Sequence, residues 1–128
     1  MKLLLDTHAL LWFSGGDSRI SETAKESIAD PENDLLLSLA SVWEMAIKVS
    51  IGKLDLPNEI SLFLAEARTN VSFEVLAIEQ NHVLEVASLP FHHRDPFDRL
   101  LIAQAMLEQV PLVSADEQFD SYGITRHW

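Results

Sequence analysis

Cysteine is missing from the 128 residues. Its absence excludes disulfides and thiolate metal sites and leaves oxygen and imidazole as the available ligands. Long apolar runs are missing as well: none approaches the roughly 20 residues of a membrane span. Met1-Lys2-Leu3-Leu4-Leu5-Asp6 meets an acid too early for a signal peptide, so a cytoplasmic protein is expected. Base is scarce, with nine Lys and Arg against twenty Asp and Glu and a net charge of −11. That balance argues against broad electrostatic adhesion to nucleic acid or to an anionic membrane. A nucleic-acid substrate would need metal ions, or local Arg and Lys, to offset it.

What is present is ordinary globular material. A hydrophobic fraction of 48% with 23% charged residues argues against disorder. A chain of this length buries about two-thirds of its unfolded surface. With no repeat, linker or low-complexity stretch, residues 1–128 are expected to form a single domain.

Short apolar runs alternate with helical patterns. Lys2-Leu3-Leu4-Leu5 and Asp34-Leu35-Leu36-Leu37-Ser38 have the continuous hydrophobicity of parallel strands covered on both faces. Phe73-Glu74-Val75-Leu76 and Pro111-Leu112-Val113-Ser114 follow as a third and fourth strand, and residues 123–126 as an edge strand. Helices are expected over 8–13, 21–29, 41–50, 58–68 and 79–88, the last with Val83, Val86 and Ala87 inward. Another starts at Asp95, an N-cap before proline at the first helical position. The pattern predicts an α/β fold, with helices on both faces of a mostly parallel sheet.

Acids recur where such a sheet keeps its crevice, outside the carboxyl ends of the strands. Asp6 and Asp116 follow the first and fourth strands. Glu44 follows the second, and is open to two readings, because Ser41 with Glu44 three residues later also matches a capping box. Asp98 lies on the same helical face as Leu101, Ile102 and Ala105, an expensive place for a carboxylate without a compensating partner. The alternative for Asp98 is a first-turn acid complementing the helix dipole. If Asp6, Glu44, Asp98 and Asp116 do meet, their repulsion calls for divalent cations. Oxygen ligation suits Mg²⁺ or Mn²⁺, ions that activate a water against a phosphodiester.

Asp6-Thr7 after an apolar strand, Ser41-Val42-Trp43-Glu44, Asp95-Pro96-Phe97-Asp98-Arg99-Leu100-Leu101-Ile102-Ala103 and Leu112-Val113-Ser114-Ala115-Asp116 resemble the PIN domain of VapC-type toxins over nearly the whole chain. The resemblance implies a PIN-like fold and a metal-dependent endoribonuclease, the toxin of a type II toxin–antitoxin system. It implies a cognate antitoxin, a homodimer, and catalytic and metal-binding roles for Asp6, Glu44, Asp98 and Asp116. Asp116 falls at a position that varies between Asp and Asn in the family, and Asp95 lies outside the quartet. Thr7 and Ser114 could orient ligands. Arg94 and Arg99 could contact RNA phosphates or act as structural partners. His92 and His93, adjacent on a loop, are expected to diverge, and an oxygen site does not require either.

Two other readings compete. A phospho-accepting α/β signalling domain also gathers acids around Mg²⁺, but it needs an aspartate ending the third strand, where Leu76-Ala77 stand. A non-catalytic interaction module needs all four acids to be caps or dipole partners at once.

Overall fold

The computed structural model describes residues 1–128. Its centre is a five-stranded sheet: β1 (Lys2–Leu5), β2 (Asp34–Ser38), β3 (Phe73–Leu76), β4 (Leu112–Val113) and β5 (Arg126–His127). The spatial order is β3-β2-β1-β4-β5 and every pairing is parallel. The chain therefore winds outward from β1 to one side through β3 and then returns to add β4 and β5 on the other. The switch point lies between β1 and β4, where such sheets open a crevice.

The leucine runs explain this placement. Successive strand residues face opposite sides, so Leu3 and Leu5 join Leu35, Leu37 and Val113 in one core cluster. Leu4 and Leu112 join the other. The first face is covered by α1 (Thr7–Gly15), α2 (Glu22–Ala29), α3 (Leu39–Ser50) and α4 (Ile60–Asn70), through Leu10, Ile28, Met45 and Phe63 among others. The second is covered by α6 (Pro96–Glu108), with Leu101, Ile102 and Ala105, while α5 (Gln80–Val86) packs beside it. The expected α/β architecture holds. No helix is long and apolar enough to cross a membrane.

Local details depart from the sequence reading. Helix α3 begins at Leu39, and its cap is Ser38, whose Oγ accepts the Ala40 N–H at 3.0 Å. Ser41 is therefore inside the helix, its hydroxyl buried and unpartnered, and the capping box with Glu44 does not form. In α5 Val86 packs partly buried against the second cluster as expected, but the fully buried residue is His82, whereas Val83 and Ala87 are exposed. His82 wins the interior because it is saturated: Nδ1 accepts the Glu79 N–H at 3.0 Å and Nε2 lies 2.9 Å from Glu108 Oε1. Apolar periodicity carries no record of such a partner set.

Candidate metal centre

Four segments converge over the β1/β4 switch. Asp6, directly after β1, is buried and caps α1, its Oδ1 accepting the Ala9 N–H at 2.7 Å. Burial pushes its carboxyl up, against hydrogen bonds from Ser114 and the Ala9 amide that pull it down. Glu44 arrives from the second turn of α3 and is also buried. Thr7 Oγ1 donates to Glu44 Oε1 at 2.6 Å, and Lys48, one turn on, holds Glu44 Oε2 at 2.9 Å.

Asp98 comes from the first turn of α6. Asp95 is the cap there, with Pro96 at the first helical position. Burial is the chief cause that pushes the Asp98 carboxyl up to about 7. The charges of Asp95, Glu44 and Asp116 add to it, and His93 opposes it. Asp116 follows β4 and caps a 3₁₀ turn over Glu117–Tyr122, accepting the Gln118 N–H at 3.0 Å. Its own N–H donates to Ser114 Oγ at 3.1 Å. Asp6, Glu44, Asp95, Asp98 and Asp116 line one recess of about 160 Å³, with Lys48 as its single lysine and no arginine. A larger recess of about 400 Å³ shares Thr7, His8 and Lys48 with it and adds Trp12, Arg19 and Lys53.

The four acids singled out in the sequence thus stand together, and Thr7 and Ser114 contact them as expected. Arg99 does not join them. It is buried, its guanidinium donating to the carbonyls of Pro90, His93, Val86 and Leu89 at 3.0–3.4 Å. It is the structural partner of the loop before α6. Arg94 is exposed.

Sequence reasoning missed two residues. Lys48 had a signal, the four-residue spacing from Glu44 on one helix face. His93 had only its adjacency to His92. The two rings do diverge: His92 is exposed and packs on Tyr122, while His93 is buried with Nε2 3.1 Å from Asp116 Oδ2. Although that separation is within ion-pair range, Nε2 makes no hydrogen bond.

Ligand atoms of His93, Asp98 and Asp116 all lie within 4.8 Å of one another. Five carboxylates against one lysine, a buried nitrogen without a partner, and a donor set of oxygen and imidazole fit a divalent cation.

A parallel α/β sheet with an acidic cleft over its switch point defines a class of protein in which the fold gathers carboxylates at the carboxyl ends of its strands. Within that class the chain belongs to the PIN-domain family, whose profile matches residues 3–124. No curated protein matches its sequence. Similar solved structures include VapBC2 from Rickettsia felis bound to a DNA fragment from its promoter, with TM-score 0.73 and 12% identity. That likeness covers 98% of this chain and 97% of the other. FitAcB from Neisseria gonorrhoeae has TM-score 0.62 and 17% identity over 97% and 95% of the two chains. VapBC-1 from nontypeable Haemophilus influenzae has TM-score 0.58 and 14% identity over 98% and 96%. At these identities the likeness is one of fold.

Proposed function

We propose that this protein is a metal-dependent endoribonuclease, the toxin of a type II toxin–antitoxin pair, with Asp6, Glu44, Asp98 and Asp116 holding Mg²⁺ or Mn²⁺. The observation that carries the reading is the arrival of these four carboxylates at one recess from four separate segments. The interaction-module alternative accounts for Asp6, Asp95 and Asp116 as caps. Asp98 could still be a first-turn dipole acid, but Glu44, in the second turn of α3, is neither a cap nor a first-turn acid.

When bound, the ion supplies an activated water and offsets charge on the phosphodiester under attack. The chain does the rest. Thr7 and Lys48 fix the two oxygens of Glu44, and the Ala9 amide fixes Asp6, so the ligands are oriented before the ion arrives. Burial of Asp6 and Glu44 lowers the local dielectric and strengthens their hold on a cation. No side-chain nucleophile is needed, and in-line attack by water leaves a 5′-phosphate and a 3′-hydroxyl. Because the chain carries a net charge of −11, the phosphate backbone is met by the metal centre and by Lys48 and Lys53, which line the two neighbouring recesses.

A cognate antitoxin and a homodimer belong to the same reading, as does action in the cytoplasm. Structural relatives named as VapBC and FitAcB complexes support the first of these. An Arg or Lys of the antitoxin placed against the carboxylates would displace the cation by a charge-assisted bond.

The test is cleavage of a labelled RNA by the purified chain with Mg²⁺, with Mn²⁺ and with EDTA. Cleavage in metal with 5′-phosphate ends, and none in EDTA, is expected. Equal cleavage in EDTA would overturn the metal assignment, and no cleavage of any RNA in either metal would overturn the enzymatic one.

A further inference from the structure

We propose that His93 is a metal ligand, its Nε2 joining carboxylate oxygens of Asp98 and Asp116 in a mixed nitrogen–oxygen site that prefers Mn²⁺ to Mg²⁺. The inference rests on the metal-centre reading above and adds to it a ligand of a different element.

Nε2 of His93 is a buried polar atom without a hydrogen-bond partner. Native proteins rarely leave such an atom idle, and the common explanations are strain, function or an ion. Its surroundings favour an ion. It stands 3.1 Å from Asp116 Oδ2, and the ligand atoms of His93, Asp98 and Asp116 fall within 4.8 Å of each other. Adjacent ligands of an octahedral ion bound at about 2.1 Å are about 3 Å apart, so the His93–Asp116 separation already matches one edge of such a shell.

The residue is also held in place, at its backbone and at its ring. The His93 backbone N–H donates to Tyr122 Oη at 2.8 Å, and that hydroxyl in turn donates to the Pro90 carbonyl at 3.0 Å. The His93 carbonyl accepts from Arg99 at 3.4 Å, and its ring packs edge-on against Phe119 with centroids 4.7 Å apart. A ligand fixed by such supports is prepaid for binding. His92, exposed and beside the Tyr122 ring, has none of them.

Imidazole also changes which metal is preferred. Mg²⁺ takes oxygen and water, whereas Mn²⁺, the weakest binder of the first-row series and itself at home among oxygens, accepts an imidazole more readily than Mg²⁺ does. A cleft of carboxylates alone would give a smaller gap between the two.

The experiment is pulsed electron paramagnetic resonance of the full chain loaded with Mn²⁺, read together with calorimetric titration by Mn²⁺ and by Mg²⁺. The expected spectrum shows nitrogen coupling from one coordinated imidazole. It survives in His92→Gln and His8→Gln and is lost in His93→Gln. Mn²⁺ affinity falls about tenfold or more in His93→Gln, and Mg²⁺ affinity falls by much less. If His93→Gln fails to fold, the wild-type spectrum with and without ¹⁵N-labelled histidine decides the matter. Bound Mn²⁺ without coordinated nitrogen would overturn the role of His93 while leaving the carboxylate centre standing. So would equal losses of both metals in His93→Gln, the mark of an imidazole that only positions Asp116. No Mn²⁺ binding at all would overturn both.

Discussion

Asp95 and Asp98 meet at the first turn of α6 and play opposite parts there. Asp95 Oδ1 accepts the N–H groups of Phe97 at 2.8 Å and of Asp98 at 3.2 Å. The cap is thereby complete, and the Asp98 carboxylate accepts no hydrogen bond from the helix it begins. Burial and the neighbouring Asp95 charge raise it to about 7. One acid stabilises the helix end, and the other is kept unsatisfied over the cleft.

Asp6→Asn should abolish RNA cleavage in Mg²⁺ or Mn²⁺, by about 10²-fold or more, the scale for loss of one preorganised electrostatic group. The amide can still accept the Ala9 N–H, so circular dichroism and the melting temperature in EDTA should hold or improve. Near wild-type activity would remove Asp6 from the centre.

Stability without metal should fall as pH rises across the acidic range. The Asp98 carboxyl titrates near 7 when folded and near 3.9 when unfolded, so the folded state binds the proton more tightly. That contribution is complete below about pH 4 and is lost as pH rises through about 7. Melting curves in EDTA between these limits should show the decline. Asp98→Asn should lessen it without removing it, because the buried Asp6 is raised in the same direction. The variant should also gain less from Mn²⁺, which stabilises only by binding the native state. An unchanged pH slope with an unchanged Mn²⁺ increment would return Asp98 to the role of a dipole acid.

Ser38→Ala and Ser41→Ala should differ in sign or nearly so. Ser38 caps α3 and donates to Gln104 Oε1, so its loss should cost about 1–2 kcal/mol. Ser41 carries a buried hydroxyl with no partner, and deleting it should be neutral or slightly stabilising. Denaturant unfolding measures both. A larger cost at Ser41 would reinstate the capping box.

Arg99→Lys should destabilise the fold by about 2–4 kcal/mol. A lysine ammonium has three donors on a flexible stem and cannot span four carbonyls. It would also lose the stacking of the guanidinium over Phe91, 4.2 Å away. Urea unfolding of the variant reads the cost. If stability is untouched while RNA binding weakens, Arg99 serves the substrate instead.

The strands were legible because parallel strands covered on both faces leave continuous leucine runs, and β1 and β2 have them. Asp6, Asp98 and Asp116 were legible because each follows a strand or opens a helix, and Glu44 because it falls soon after the second strand. The start of α3 was obscured, because Ser38 and Ser41 are both competent caps and only tertiary structure chooses. Ser38 wins with a second bond to a residue 66 positions away. His82 and His93 were obscured for a related reason. Their surroundings come from residues distant in sequence: Glu108 and Gln104 bond the His82 ring, while Phe119 packs on the His93 ring and Tyr122 holds the His93 backbone N–H.

The Ser38 hydroxyl touches both helices that carry the inner acids: it caps α3, which bears Glu44, and bonds Gln104 of α6, which bears Asp98. Gln104 Nε2 continues the chain to the Ala77 carbonyl and the His82 ring. Hydrogen bonds are directional where apolar contacts are not, so sliding α6 against α3 by even a fraction of a turn would break several of them together. The two helices that bear Glu44 and Asp98 are thereby tied through polar contacts as well as through the aliphatic layers. A serine, a glutamine and a histidine act as a gauge between them, setting their spacing by bond geometry where packing alone would set it by volume.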